Sequence, residues 1–88
     1  MNEKEYQEII VESFYPSDLS GKHGPVHIRP LSGQDPYLET MYVECSKDLS
    51  YNYPVGTRFR IKAKIVDEPP VAAFIYSHYK WSYTVLQG

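Results

Sequence analysis

The stretch TRFRIKAKIV, residues 57–66, carries a cation at every second position of its first eight residues. In a β-strand, alternate side chains lie on one face about 6.6 to 7 Å apart, so the pattern predicts a row of positive charges. Such a row can follow the phosphates of an extended single-stranded nucleic acid or contact an acidic protein. The candidate binding residues in it are Arg58, Arg60, Lys62 and Lys64.

A second stretch, YSHYKWSY at residues 76–83, interleaves aromatic and basic side chains. If it is a strand, one face carries three further candidate binding residues, namely Tyr76, His78 and Lys80. The opposite face is predicted to be core, because a tyrosine ring packs well while its hydroxyl reaches water or a backbone group. That face holds Tyr79, Trp81 and Tyr83.

The register of these two stretches decides whether they form one surface. We predict that Lys64 pairs with Phe74, because a shift by one residue would put the cations on the predicted core face. The neighbouring pairs are then Lys62 with Tyr76 and Arg60 with His78.

The basic row also has an ordinary structural interpretation. Alternating cations are typical of the solvated face of a half-buried sheet, and Glu8, Glu12 and Glu44 are predicted to point outward on neighbouring strands. Those carboxylates would neutralise part of the row. A solvated face, contact with single-stranded nucleic acid and contact with an acidic protein therefore stay open as alternatives.

Chemistry beyond binding has few candidates. A small enzyme would use a site near His23, His27 and Cys45. His23 and His27 are four residues apart, but Gly24 and Pro25 lie between them and disfavour the helix that a metal site of this spacing needs. Cys45 shares the predicted inward face of Val43, which favours a small buried hydrophobe. The segment SGKHG, residues 20–24, lacks the second glycine and the hydroxyl of a phosphate-binding loop. We predict no catalytic residue, no metal site and no cofactor.

Length and composition limit the class of protein. Eighty-eight residues predict one domain spanning 1–88, and 42% apolar with 23% charged residues is a globular balance. One cysteine excludes an intramolecular disulfide. The first ten residues lack a signal-peptide pattern and no apolar run approaches the ~20 residues of a membrane span, which predicts a cytoplasmic protein without membrane contact.

Charge is distributed unevenly along the chain. The net charge is only −2, which argues against a general nucleic-acid coat. Residues 1–48 hold four basic and nine acidic side chains, a balance of −5, whereas residues 49–88 hold five basic and two acidic ones, a balance of +3. A local basic surface is therefore expected in the second half of the chain.

Turn-forming clusters of Gly, Pro, Asn, Asp and Ser divide the chain into five predicted strands. The N-terminal one, within residues 5–14, has a helical alternative, but the run Ile9-Ile10-Val11 favours a strand. The C-terminal one, residues 71–86, is too long for one straight strand and must bend or break near Ser77 or Ser82. The other four predicted strands are VHIRP (26–30), LETMYVECSK (38–47), TRFRIKAKIV (57–66) and VAAFIYSHYKWSYTVL (71–86).

These elements predict an all-β fold, a small five-stranded antiparallel barrel or sandwich of the oligonucleotide-binding or SH3-like type. A short helical turn near 46–51, capped by Ser46, is expected within it. The short VHIRP strand could pair with a second copy, so the pattern does not decide between monomer and homodimer. The function expected from the sequence is a non-catalytic interaction module whose basic and aromatic outer face binds an acidic protein or ligand, with single-stranded nucleic acid as the alternative.

Overall fold

The computed structural model describes residues 6–15, 26–78 and 80–86. Most of its regular structure is β, as predicted, and it includes one short helix. In chain order the elements are β1 (Gln7–Phe14), β2 (His27–Pro30), β3 (Val43–Glu44), α1 (Asp48–Tyr51), β4 (Arg58–Val66), β5 (Phe74–Tyr76) and β6 (Thr84–Leu86).

Strand β4 is the centre of the sheet. It pairs antiparallel with β1 along one edge, and with both β5 and β6 along the other edge. The sheet order is β2-β1-β4-β5-β3, with β6 as an additional partner of β4. The predicted alternation of β4 is confirmed, because Phe59, Ile61 and Ala63 are buried whereas Arg58, Arg60 and Lys62 are exposed.

Four features differ from the predicted five-stranded antiparallel barrel. The described residues form six strands, and β3 runs parallel to β5. Across residues 6–15, 26–78 and 80–86, the sheet is not closed: its two end strands, β2 and β3, approach each other but no ladder joins them. The predicted strand at 38–47 is reduced to Val43–Glu44. Its alternation still holds, because Met41, Val43 and Cys45 pack toward the core.

The N-terminal segment is a strand, and the helical alternative is wrong for its described part. Ile9 and Val11 are buried against β4, since they pair with Ile61 and Phe59. The pairing continues into the turn before β4, where the N–H of Gly56 donates to the carbonyl of Ser13 at 3.0 Å. Gly56 has φ +98°, a left-handed conformation that other residues rarely adopt, so glycine is required at this turn.

The predicted strand at 71–86 breaks, as its length requires. Lys64 lies opposite Tyr76 and Arg60 lies opposite Thr84. Tyr76 and Thr84 are eight residues apart in the chain, whereas their partners on β4, Lys64 and Arg60, are only four apart. The segment between β5 and β6 is therefore four residues longer than the part of β4 that it passes. The additional length leaves the sheet between β5 and β6; the described residues of this connection, 77–78 and 80–83, are here called the aromatic loop.

The predicted helical turn is present as α1, and Leu49 anchors it in the core with 1% of its surface exposed. Lys47, rather than Ser46, occupies the N-cap position, although the hydroxyl of Ser46 accepts a hydrogen bond from the N–H of Asp48 at 3.2 Å. Among the described residues, no helix has both the length and the apolar character that crossing a bilayer requires.

Candidate binding surface on the outer face of the sheet

The outer face of the sheet carries all four cations of β4. Arg58, Arg60 and Lys62 are exposed and Lys64 is half-buried. Residues that pair across strands share a face, so the register identifies the neighbours of each cation. The four positions have different neighbours, and the row is not uniform.

At one end, Arg58 belongs to an ion-pair network. The carboxylate of Glu12 lies 2.9 Å from Nε of Arg29 and 3.9 Å from Nε of Arg58. The guanidinium of Arg29 also lies 4.2 Å from the ring centroid of Phe14. This end matches the interpretation of the row as a solvated and internally neutralised face.

The middle of the row has mixed neighbours. Glu8 lies opposite Lys62 across β1, so a carboxylate faces this cation as expected from the sequence. Arg60 lies between Ile10 on β1 and Thr84 on β6, and neither neighbour is charged. The positive charge of Arg60 is therefore not opposed by a direct cross-strand carboxylate.

At the other end, Lys64 lies among aromatic rings. Its Nζ atom is 5.3 Å from the ring centroid of Tyr6, a cation–π distance. Tyr76 lies opposite Lys64 on β5, and Glu44 follows Tyr76 on β3. The predicted register, Lys64 with Phe74, is wrong by two residues because the turn between β4 and β5 spans 67–73 rather than the four residues DEPP. A shift of two preserves the face, so Tyr76 still joins the basic row.

The predicted pairs of Lys62 with Tyr76 and Arg60 with His78 do not form. His78 lies in the aromatic loop, with its ring 6.5 Å from that of Tyr76 and 5.6 Å from that of Trp81 between centroids. Its Nδ1 accepts a hydrogen bond from the N–H of Lys80 at 3.0 Å, which holds the loop in a tight turn. The structure thus brings His78 beside Tyr76 by a loop and not by strand pairing.

Two residues of this surface were not predicted from the sequence, Tyr6 and Trp81. Trp81 belongs to the edge of β4 occupied by β5 and β6, whereas Tyr6 belongs to the β1 edge. Their rings are 4.4 Å apart at 85°, so the two side chains make an edge-to-face contact that joins the two edges. We call Tyr6, Tyr76, His78 and Trp81 the aromatic cluster.

Trp81, predicted to face the core from an unbroken strand, lies in the loop and is half-buried: its ring meets that of Tyr6, and it lines a small cavity with the buried Leu49 and Ile61. The loop adds an even number of residues, so the alternation of β5 returns in β6, where Thr84 lies opposite Arg60 and Val85 lies opposite Phe59. Within the loop itself, no ladder sets the direction of a side chain. The signal available in the sequence was the sixteen-residue length of the predicted strand, well above the usual 5 to 6.

Tyr83 packs inward, as predicted. Its ring centroid lies 5.8 Å from that of the buried Phe59, and its hydroxyl lies 3.1 Å from the hydroxyl of Tyr53. This hydrogen bond, followed by burial, raises the pKa of Tyr83 to about 12. Tyr79, the third predicted core aromatic of this stretch, lies outside the described residues.

A cleft of about 550 Å³ lies between the two end strands of the sheet, and both His27 and Cys45 line it. These are two of the three residues of the enzymatic alternative; His23 lies outside the described residues, as does the SGKHG segment. Burial, and then the charge of Glu44, raises the pKa of Cys45 to about 12. A thiol nucleophile needs a lowered pKa, so this environment disfavours the reaction.

The raised pKa predicts slow modification of Cys45. At pH 8 an ordinary thiol of pKa ~8.5 is about one quarter thiolate, whereas one of pKa about 12 is thiolate in only ~1 molecule in 10⁴. Reaction of the native protein with a chromogenic disulfide reagent is expected to be at least ~100-fold slower than in concentrated guanidinium chloride. Equal rates in the two solvents would contradict the burial and the raised pKa of Cys45.

The same shift has a consequence for stability. The unfolded thiol loses its proton at a lower pH than the folded one, so the unfolded state binds fewer protons between pH ~8.5 and about 12. The free energy of unfolding should fall as pH rises through that window, and the fall should be smaller in Cys45→Ser.

Within the described ranges, no group of three or more His, Cys, Asp or Glu side chains is arranged to hold a metal ion. The candidate surface consists of the basic row and the aromatic cluster. No protein-family model matches this chain, and no curated protein or solved structure is significantly similar to it.

Proposed function

We propose that this chain is a non-catalytic interaction module that binds an acidic protein segment on the outer face of its sheet. The residues that would make the contact are Arg60, Lys62, Lys64, Tyr76, His78 and Lys80. The observation that supports it is the position of the aromatic cluster directly beside the end of the basic row, where Lys64 lies between Tyr6 and Tyr76. Arg58, part of the original prediction, contributes less because Glu12 already faces it.

The charge pattern favours an acidic protein over nucleic acid. A nucleic-acid strand presents a phosphate at every step and needs cations along its path, whereas Glu8 and Glu12 interrupt this face. A short acidic segment needs only a few cations, which the half of the row from Arg60 to Lys64 supplies. Aromatic side chains next to the cations would contact the apolar parts of such a segment.

Single-stranded nucleic acid is the second candidate, and the aromatic cluster is the observation in its favour. Tyr76, His78 and Trp81 are half-buried rings of the kind on which bases stack. This candidate predicts strong salt dependence, with log K falling by ~0.7 per contacted phosphate for each unit of log [salt]. Binding of nucleic acid on this face would not involve the separate cleft lined by His27 and Cys45.

The experiment is an amide NMR titration at low salt with two probes, a twelve-residue oligoglutamate and a mixed-sequence single-stranded oligonucleotide. Oligoglutamate is expected to shift the amides of residues 58–64 and 76–80. Reversing two charges with Arg60→Glu and Lys62→Glu should weaken binding at least tenfold, because each substitution replaces an attraction with a repulsion.

The matched control is Lys47→Glu, which changes an exposed cation at the N-cap of α1 that lines the cleft of His27 and Cys45. It should leave the affinity for oligoglutamate within about twofold, and the melting temperatures of all variants should stay close to that of the parent chain. Shifts with the oligonucleotide but not with oligoglutamate would replace the first candidate by the second. No shift with either probe would remove both.

The oligonucleotide-binding-like or SH3-like assignment and the cytoplasmic location stay predictions, and the proposed function depends on neither.

A further inference from the structure

A second concavity, of about 660 Å³, lies where the segments that lead into β3 and β5 diverge. The two strands form a parallel ladder in which the N–H of Ile75 donates to the carbonyl of Tyr42 at 2.8 Å. Upstream of this bond, residues 40–42 and 71–73 are not in the ladder, and the space between them is open. We call this concavity the Tyr42 groove.

The lining of the Tyr42 groove is mostly apolar. Val71 and Tyr42 border it and are 61% and 67% exposed, and Met41 and Phe74 lie against it with two alanines. Contiguous apolar surface of this kind on a small domain is typical of an interaction site. Methionine adapts its shape to different side chains, which suits a peptide-binding groove.

The charge of the groove is one-sided. Among the described residues that line it, the charged one is Glu44, and no Lys or Arg is among them. A second carboxylate belongs to the turn that enters the groove, because the N–H of Val71 donates to the carbonyl of Glu68 at 3.2 Å. The aromatic ring of Tyr42 next to Glu44 adds a surface that attracts cations.

We propose that the Tyr42 groove binds an apolar peptide segment that carries an arginine or lysine side chain. The apolar side chains of the segment would lie against Val71 and Phe74, and the cation would lie between the carboxylate of Glu44 and the ring of Tyr42. This occupant has the opposite charge to the segment bound on the basic outer face. The groove borders the outer face, because Glu44 lies opposite Tyr76, but it binds a segment of opposite charge, and the inference does not depend on the proposed function.

The test is an amide NMR titration with two capped peptides, acetyl-Leu-Arg-Phe-Leu-amide and acetyl-Leu-Glu-Phe-Leu-amide. The arginine peptide is expected to shift the amides of residues 40–44 and 71–75 and to bind at least several-fold more tightly than the glutamate peptide. Glu44→Gln should remove most of that preference, a change of up to about fivefold for an exposed ion pair. Tyr42→Ala should weaken binding of the arginine peptide about tenfold.

The matched control is Tyr51→Ala, because Tyr51 is as exposed as Tyr42, at 64%, and does not line the groove. It should leave the affinity unchanged. Equal affinity for both peptides, an unchanged preference in Glu44→Gln, or shifts located outside the groove would each overturn the inference. Because the probe is cationic, failure here leaves the oligoglutamate result on the outer face intact.

Discussion

Replacing Phe59 with alanine is expected to lower the free energy of unfolding by about 3 to 5 kcal/mol. Phe59 has no exposed surface and lies on β4, the strand that pairs with β1, β5 and β6. Its ring makes edge-to-face contacts with Tyr53 and Tyr83 at centroid distances of 5.2 and 5.8 Å. Truncation would remove these contacts and leave a cavity that the rigid sheet cannot fill.

The size of the domain makes this loss severe. A chain of this length has a total stability of about 4 to 13 kcal/mol at the usual value per residue, so the loss would remove between about a quarter and all of it. Urea denaturation followed by far-UV circular dichroism measures the change. Phe59→Leu keeps most of the volume and should cost less than ~1.5 kcal/mol.

The control for Phe59 is its cross-strand neighbour Val85, which is 45% exposed. Val85→Ala is expected to cost less than ~1 kcal/mol, because part of its surface already lies in water. A loss below 1 kcal/mol for Phe59→Ala would mean that β4 is not the centre of the core.

Replacing Gln34 with leucine is expected to cost about 2 to 3 kcal/mol, because three hydrogen bonds to the backbone are lost. The side-chain amide of Gln34 accepts from the N–H of Ile10 at 2.8 Å and donates to the carbonyl of Ile10 at 2.8 Å. It also donates to the carbonyl of Leu31 at 3.0 Å. Gln34 thus acts as a strand partner for β1 just beyond Pro30, where β2 ends.

Gln34→Glu separates the two roles of this amide. A carboxylate can still accept from the N–H of Ile10 but cannot donate to the two carbonyls, so most of the loss should persist at neutral pH. Hydrogen exchange at the Ile10 amide reports the accepting role directly: its protection should fall in Gln34→Leu and be better preserved in Gln34→Glu.

Gln7→Ala serves as the control, because Gln7 is an exposed glutamine at the start of β1. It should change the free energy of unfolding by less than ~0.5 kcal/mol. Unchanged protection of Ile10 in Gln34→Leu would contradict the role assigned to Gln34.

Alternation by itself identified several elements of the sheet. In β4, apolar and basic residues alternate at every position from Arg58 to Lys64. The structure places the apolar residues toward the core and the basic residues on the outer face, as predicted. The β-branched run Ile9-Ile10-Val11 likewise identified β1. These predictions succeed because the inner and outer positions of a strand follow from its two-residue period, whatever its partners are.

The candidate surface was predictable only in part. Tyr76 joins the face of the basic row because a register error of two residues leaves the face unchanged. The contribution of Arg29 to the network of Glu12 depends on pairing between β1 and β2, which no local pattern specifies. The Tyr42 groove depends on the parallel pairing of β3 with β5, two segments about thirty residues apart.

The sequence by itself determined which residues of each continuous strand face the core and which face water, and hence the cationic side of β4. Only the tertiary structure decided that the last strand breaks rather than bends, that the aromatic loop brings Trp81 into contact with Tyr6, and that the sheet carries a parallel strand without closing across its described residues. The physical reason is that side-chain direction is a local property of an extended backbone, whereas register, strand order and the path of a loop are chosen by packing between segments far apart in the chain.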